Sequence, residues 1–160
     1  MRDTIEAQTS TRTREMFGLR AVLASTVSDS HTWNLVFLQL LLKEHGYQVR
    51  NLGACVPPEL LAQRCAAWPP DLVVLSSVNG HGIYDGIGAV SALRAVPELL
   101  ATPVVIGGKL GIDHADPEQG ITLLNAGIDS VFGEGAAELA RFRAYLGEVA
   151  VGAVRVPASA

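Results

Sequence analysis

Five apolar runs of strand length recur along the chain: "AVLASTV" (21–27), "YQVRNLG" (47–53), "DLVVLSS" (71–77), "PVVIGG" (103–108) and "DSVFG" (129–133). The stretches between them have the apolar spacing of helices. "TWNLVFLQLLLKEHG" carries apolar residues at 35, 36, 38, 41 and 42 and closes on Gly46, a natural left-handed stop. "PPELLAQRCAAW" opens on prolines suited to a first turn, and "YDGIGAVSALRAV", "EQGITLLNAG" and "GAAELARFRAYLGE" complete the series. Strand and helix in strict alternation predict an α/β domain. Its doubly wound, five-stranded parallel sheet is covered on both faces through right-handed crossovers.

With 160 residues, 49% of them apolar, the chain suits one domain with one sizeable core. The expected boundaries are a polar tail over 1–18, the folded domain over 19–149, and a second tail over 150–160. Twelve basic side chains against 16 acidic ones, with only Arg12, Arg14 and Arg20 scattered near the start, disfavour a nucleic-acid partner. No stretch reaches the roughly 18 apolar residues of a membrane span, and the start lacks a signal-like apolar region, so a cytoplasmic location is expected. Cys55 and Cys65 lack a CxxC pattern and are expected to be reduced, buried thiols.

In open parallel sheets, ligands bind beyond the carboxyl ends of the strands, near the point where strand order reverses. Asp29 and His31 follow the first run within "STVSDSHTWN" (25–34), "SSVNGHG" follows the third, "IGGKLGI" the fourth and "FGEG" the fifth. Glycines and short polar residues thus gather at one rim, where backbone can come close to a ligand. Two readings of His31 stand side by side. It is a helix-start histidine capped by Asp29, or it is a metal ligand whose second ring nitrogen is held by that carboxylate. His45, His81 and His114 are scattered and supply no zinc set, so a lone histidine suits a metal already held by a macrocycle.

"SDSHTWN", "LSSVNGHGIYD", "VVIGGKLG" and "SVFGEG", in that order and at matching intervals, resemble the cobalamin-binding fold, a Rossmann-like or flavodoxin-like sheet. They are most similar to the small subunit of the glutamate mutase (methylaspartate mutase) family, and the resemblance covers roughly 20–140. That family's pattern is Asp-x-His-x-x-Gly, then Ser-x-Leu, then Gly-Gly. Here Asp29, His31, Ser76, Gly107 and Gly108 match it, while Asn34 stands for the first glycine and Val78 for the leucine.

The resemblance implies that His31 coordinates cobalt from the lower face of the corrin, in place of dimethylbenzimidazole, with Asp29 bonded to the far side of the imidazole. The displaced nucleotide tail would enter a slot beside Ser76, Gly107 and Gly108. Asn34 lies in its path, obstructing the tail, bonding it, or capping the helix. The implied cofactor-binding set is Ser28, Asp29, His31, Thr32 and Asn34 from the first loop and Ser76, Val78 and Gly80 from the second. Gly107, Gly108, Gly133 and Gly135 complete it. The implied cofactor is adenosylcobalamin, the partner a separate catalytic barrel subunit, and the reaction the isomerisation of glutamate to 3-methylaspartate. Other readings are the cobalamin-binding part of an acyl-CoA mutase, a corrinoid methyl-transfer module, or a receiver-like or flavodoxin-like binding module. A receiver requires an Asp after the third strand, where Ser76 and Ser77 stand, and a flavodoxin requires a glycine-rich phosphate loop after the first.

Overall fold

A computed structural model describes residues 18–111 and 117–152. All five expected strands form: β1 (Arg20–Ser25), β2 (Gln48–Asn51), β3 (Leu72–Ser76), β4 (Val104–Gly107) and β5 (Ser130–Phe132). They make one sheet of order β2-β1-β3-β4-β5 with every neighbouring pair parallel. The helices are α1 (Trp33–Glu44), α2 (Pro58–Ala67), α3 (Gly82–Arg94), α4 (Pro117–Ala126) and α5 (Ala136–Ala150). Helix α1 stops as expected: the Gly46 amide donates to the Lys43 carbonyl, and Gly46 takes a φ of +84° that a side chain would resist.

The strands alternate their side chains between two cores. Val22, Val73, Leu75, Val104 and Ile106 face α2, α3 and α4 through Leu61, Cys65, Val90, Leu93 and Leu123. On the other face, Leu23, Leu72, Val74 and Val105 meet Leu35, Leu41 and Leu42 of α1 and Phe142 and Leu146 of α5. Each such leucine, when fully buried, contributes roughly 1.5–3 kcal/mol.

Among the described residues this second layer holds two helices. Helix α1 lies over β1 and β2 and α5 over β5. Below, they are fastened: the Tyr47 hydroxyl after α1 donates to the Leu146 carbonyl at 2.9 Å, and Arg143 pairs with Glu44 at 3.7 Å. Above, toward the carboxyl ends of the strands, they part. There the register sets Ser25, Ser76, Gly107 and Phe132 in one row across β1, β3, β4 and β5.

Three expectations are corrected. Val36, counted on the apolar face of α1, is 56% exposed; Leu35, Leu41 and Leu42 carry the packing. Helix α5 runs through Ala150, so regular structure enters the expected C-terminal tail; the rest of that tail from 153 on, and residues 1–17, lie outside the described residues. Cys65 is buried, but Cys55 is exposed, on a loop where it takes a φ of +52°. Burial pushes the Cys65 thiol up to about 12, leaving almost no thiolate near neutral pH. Iodoacetamide should therefore alkylate Cys55 in the native protein and leave Cys65 unmodified until denaturant is added, as peptide mass mapping would read directly; equal labelling would contradict the packing around α2.

Candidate functional site

The loop after β1 (26–32) and the loop after β3 (77–81) meet where the strand order turns, between β1 and β3. Asp29 joins them, with its side chain only 1% exposed. Its Oδ1 accepts the His31 backbone N–H at 2.9 Å and lies 2.8 Å from His31 Nδ1. Its Oδ2 accepts the Val78 N–H at 2.5 Å. Burial pushes this carboxyl up, but the amides of Val78 and His31, together with the His31 ring, outweigh burial and hold it below its ordinary value. An ionised carboxylate only accepts hydrogen bonds, so Nδ1 carries the imidazole proton and Nε2 keeps its lone pair in the neutral ring. The His31 side chain is 49% exposed, leaving Nε2 free to bind.

Further bonds lock the two loops. Ser28 Oγ donates to Asp85 of α3 at 2.5 Å, and the Asn79 amide donates to the Ser28 carbonyl and hydroxyl at 3.0 and 2.9 Å. Asn79 Oδ1 accepts the His81 N–H at 3.0 Å, fixing the start of α3. The Thr26 N–H donates to the Ser76 carbonyl, and the Gly80 N–H, at a φ of +85°, to the Lys109 carbonyl.

Between the parted ends of α1 and α5 a cleft of about 470 Å³ opens onto the sheet. Ser76 and Gly107 lie side by side on its floor. The Ser76 hydroxyl has no hydrogen-bond partner among the described residues. Gly108 has a φ of +112°, and a Cβ there would lie 2.3 Å from the Ser77 carbonyl oxygen, so no other residue fits without moving the loop after β3. On the α5 side, Glu138 accepts the Gly133 N–H at 2.8 Å and pairs with Arg141 at 2.7 Å. Gly135, with a φ of +102°, starts the helix.

Of the expected contact residues, Asn34, Ser76, Val78, Gly107, Gly108, Gly133 and Gly135 line this cleft. Ser28, Asp29, His31, Thr32 and Gly80 do not line it and stand on the rim loops instead. One alternative for Asn34 is corrected: Thr32 is the N-cap of α1, and Asn34 sits two residues further in, with its amide unbonded among the described residues. Sequence reasoning missed Trp33, Phe37, Leu38, Phe132, Glu138, Leu139 and Phe142 as cleft walls. Trp33 and Phe37, four residues apart and so on one side of α1, stay 69% and 45% exposed.

As a metal site, the arrangement offers one imidazole nitrogen. No group of three or more His, Cys, Asp or Glu gathers at metal-binding distance among the described residues; His114 lies outside them. A single axial donor backed by a carboxylate, beside a cleft floored by serine and glycine, fits a macrocyclic cobalt cofactor with a buried tail.

The chain is similar to several known proteins. Over 98 residues the chain is 36% identical to the HTH-type transcriptional repressor CarA of Myxococcus xanthus, a match spanning 61% of this chain and 33% of the repressor. Over 97 residues it is 34% identical to the glutamate mutase sigma subunit of Halobacterium salinarum, spanning 61% of this chain and 64% of that subunit. The chain thus covers less than two thirds of either relative. A cobalamin-binding protein from Desulfitobacterium hafniense shares the fold with a TM-score of 0.64 at 22% identity, over 81% of this chain and 59% of that one. No helix among the described residues is long and apolar enough to cross a membrane. Residues 19–143 match the B12 binding domain, and with that match across most of its length the chain belongs to the B12-binding family and is a cobalamin-binding domain.

Proposed function

We propose that this domain binds adenosylcobalamin with His31 Nε2 as the lower axial ligand and the nucleotide tail in the cleft. In this reading it serves as the cofactor-carrying component of a carbon-skeleton mutase resembling glutamate mutase. The observation that carries the reading is the Asp29 carboxylate, bonded to His31 Nδ1 and to the Val78 amide, which presents Nε2 in one tautomer at the rim. The 34% identity to the sigma subunit supports the mutase assignment.

When bound, adenosylcobalamin supplies a cobalt–carbon bond that breaks homolytically, and the radical chemistry is the cofactor's own. The chain's residues hold and orient. His31 donates its Nε2 lone pair, and Asp29 keeps the proton on Nδ1 and raises the basicity of the ring. Ser76 and Asn34 offer hydrogen bonds at the mouth of the cleft, and Gly107 and Gly108 keep its floor flat. The substrate pocket belongs to a separate barrel subunit. A second reading is favoured by the 36% identity to CarA: a regulatory protein in which cobalamin binding, rather than isomerisation, is the output. A receiver role lacks its phospho-acceptor, since β3 ends in Ser76.

Three measurements test these assignments. Mixing the chain, adenosylcobalamin and the barrel subunit of a glutamate mutase should yield 3-methylaspartate from glutamate, with no product when any component is omitted. Cobalamin binding without turnover would favour the regulatory reading. In cob(II)alamin spectra, nitrogen-15 labelling of histidine should alter the axial hyperfine splitting in the wild type and His31→Ala should abolish it; coupling to dimethylbenzimidazole alone would exclude His31 as ligand. Asp29→Asn should retain the ligand but weaken affinity by about 10-fold to 100-fold.

The Asn34 amide, unbonded in the cleft wall, should bond the tail. Asn34→Gly should therefore weaken cobalamin binding in calorimetric titration by about 0.5–1.5 kcal/mol. Tighter binding would mean that the side chain obstructs the cleft, and unchanged affinity would place it outside the tail's path.

A further inference from the structure

Helix α1 is apolar on both sides. Leu35, Leu41 and Leu42 are buried against the sheet, with Leu38 half-buried beside them. On the opposite side Trp33, Val36, Phe37 and Leu40 fall at the spacing i, i+3, i+4 and i+7, which sets them in one stripe along the helix. All four stay between 45% and 69% exposed. A surface helix normally turns a polar face to water, and one that is apolar all round is a helix covered on both sides. Two flanks bound the stripe. On one, the Asn51 amide after β1's neighbour β2 donates to Gln39 at 3.0 Å; on the other, Trp33 and Phe37 also line the cleft. The helix carries no charge from Trp33 to Leu42, and the first, Lys43, is exposed and makes no ion pair among the described residues. At the other end the Trp33 ring meets neither a cation nor a second ring among them.

We infer that the occupant of this stripe is a second copy of the chain, packed with its α1 antiparallel to the first across a two-fold axis. An isologous contact needs a patch that is complementary to itself, and the two ends of the stripe have that property. With the axis at the level of Leu38, Val36 of each copy meets Leu40 of the other, and the two Phe37 rings meet near the axis. The Lys43 ammonium of each copy then lies over the Trp33 ring of the other. A parallel pair would set Lys43 against Lys43 and leave both indoles without a cation. A stable dimer buries about 800 Å² on each partner. Four side chains of one helix supply the apolar centre of such a patch and less than its full area, so this dimer comes apart on dilution. Because Trp33 and Phe37 belong to both surfaces, Leu40 and Lys43 of the second copy complete the outer wall of each cleft. The contact holds whether or not the cleft takes a nucleotide tail.

Sedimentation velocity of the full chain, from about 1 to about 300 μM, should show a monomer passing to a dimer as concentration rises. Leu40→Glu changes a side chain that the fold itself leaves outside the core, so the circular dichroism spectrum and thermal midpoint should match the wild type. Its dimer dissociation constant should rise at least about 100-fold, because two carboxylates are brought into an apolar contact. Lys43→Met keeps the stem and removes the cation, and should weaken the dimer by about 5-fold to 30-fold. In a Cys55→Ser background, mixed Val36→Cys and Leu40→Cys chains should on oxidation form disulfides between positions 36 and 40 in preference to same-variant pairs. A chain that sediments as a monomer throughout would overturn the inference and leave the stripe to another protein or another segment. A dimer that survives Leu40→Glu unchanged would place the contact elsewhere, and an excess of same-variant disulfides would exclude the antiparallel register; either overturns it too.

Discussion

A single buried carboxylate holds the upper edge of this domain together. Asp29 reaches no water, yet it stays ionised because Val78, on the far side of the strand-order reversal, gives it an amide, and His31 gives it an amide and a ring. A carboxylate this deep without those donors would be too costly to keep charged. One group thereby sets the imidazole tautomer, ties the loop after β1 to the loop after β3, and leaves the opposite ring nitrogen with its lone pair. The Ser28, Asn79 and Asp85 bonds then stiffen a junction that Asp29 has already made.

The open cleft follows from how the two faces are covered. Among the described residues, three helices seal one side of the sheet, while α1 and α5 share the other and are fastened at the lower end by Tyr47 and Arg143. Above that fastening the sheet narrows to small residues, since Ser76 and Gly107 fill the floor positions that Val74 and Val105 fill below. Small residues at one level and large ones at the next turn a packed interface into a pocket with a closed bottom.

Much of this was legible in the sequence because parallel strands buried on both faces leave uninterrupted apolar runs, and turns leave glycines. "DLVVLSS" could be little else but a central strand, and Asp29, His31 and the glycine pair fell at strand ends where ligands sit. The cleft walls were less legible. An apolar residue on an amphipathic helix reads as core, so Trp33 and Phe37 gave no sign that they face a gap; the splay of α1 from α5 depends on contacts about a hundred residues apart in sequence, such as Tyr47 to Leu146. Cys55 escaped for a related reason: its exposure is set by the left-handed turn it occupies, which no pattern of neighbours marks.

Among the described residues only α1 and α5 cover one face of the sheet, and under the proposed reading this gives folding and cofactor binding a common free energy. A sheet face that the described residues leave partly bare keeps apolar surface in contact with water, and a tail filling the gap, as proposed, would act as a detachable piece of core. The loaded domain would then gain stability in proportion to the logarithm of cofactor concentration over its dissociation constant. The empty one is the less stable form, with the upper turns of its first and last helices the natural place for it to open.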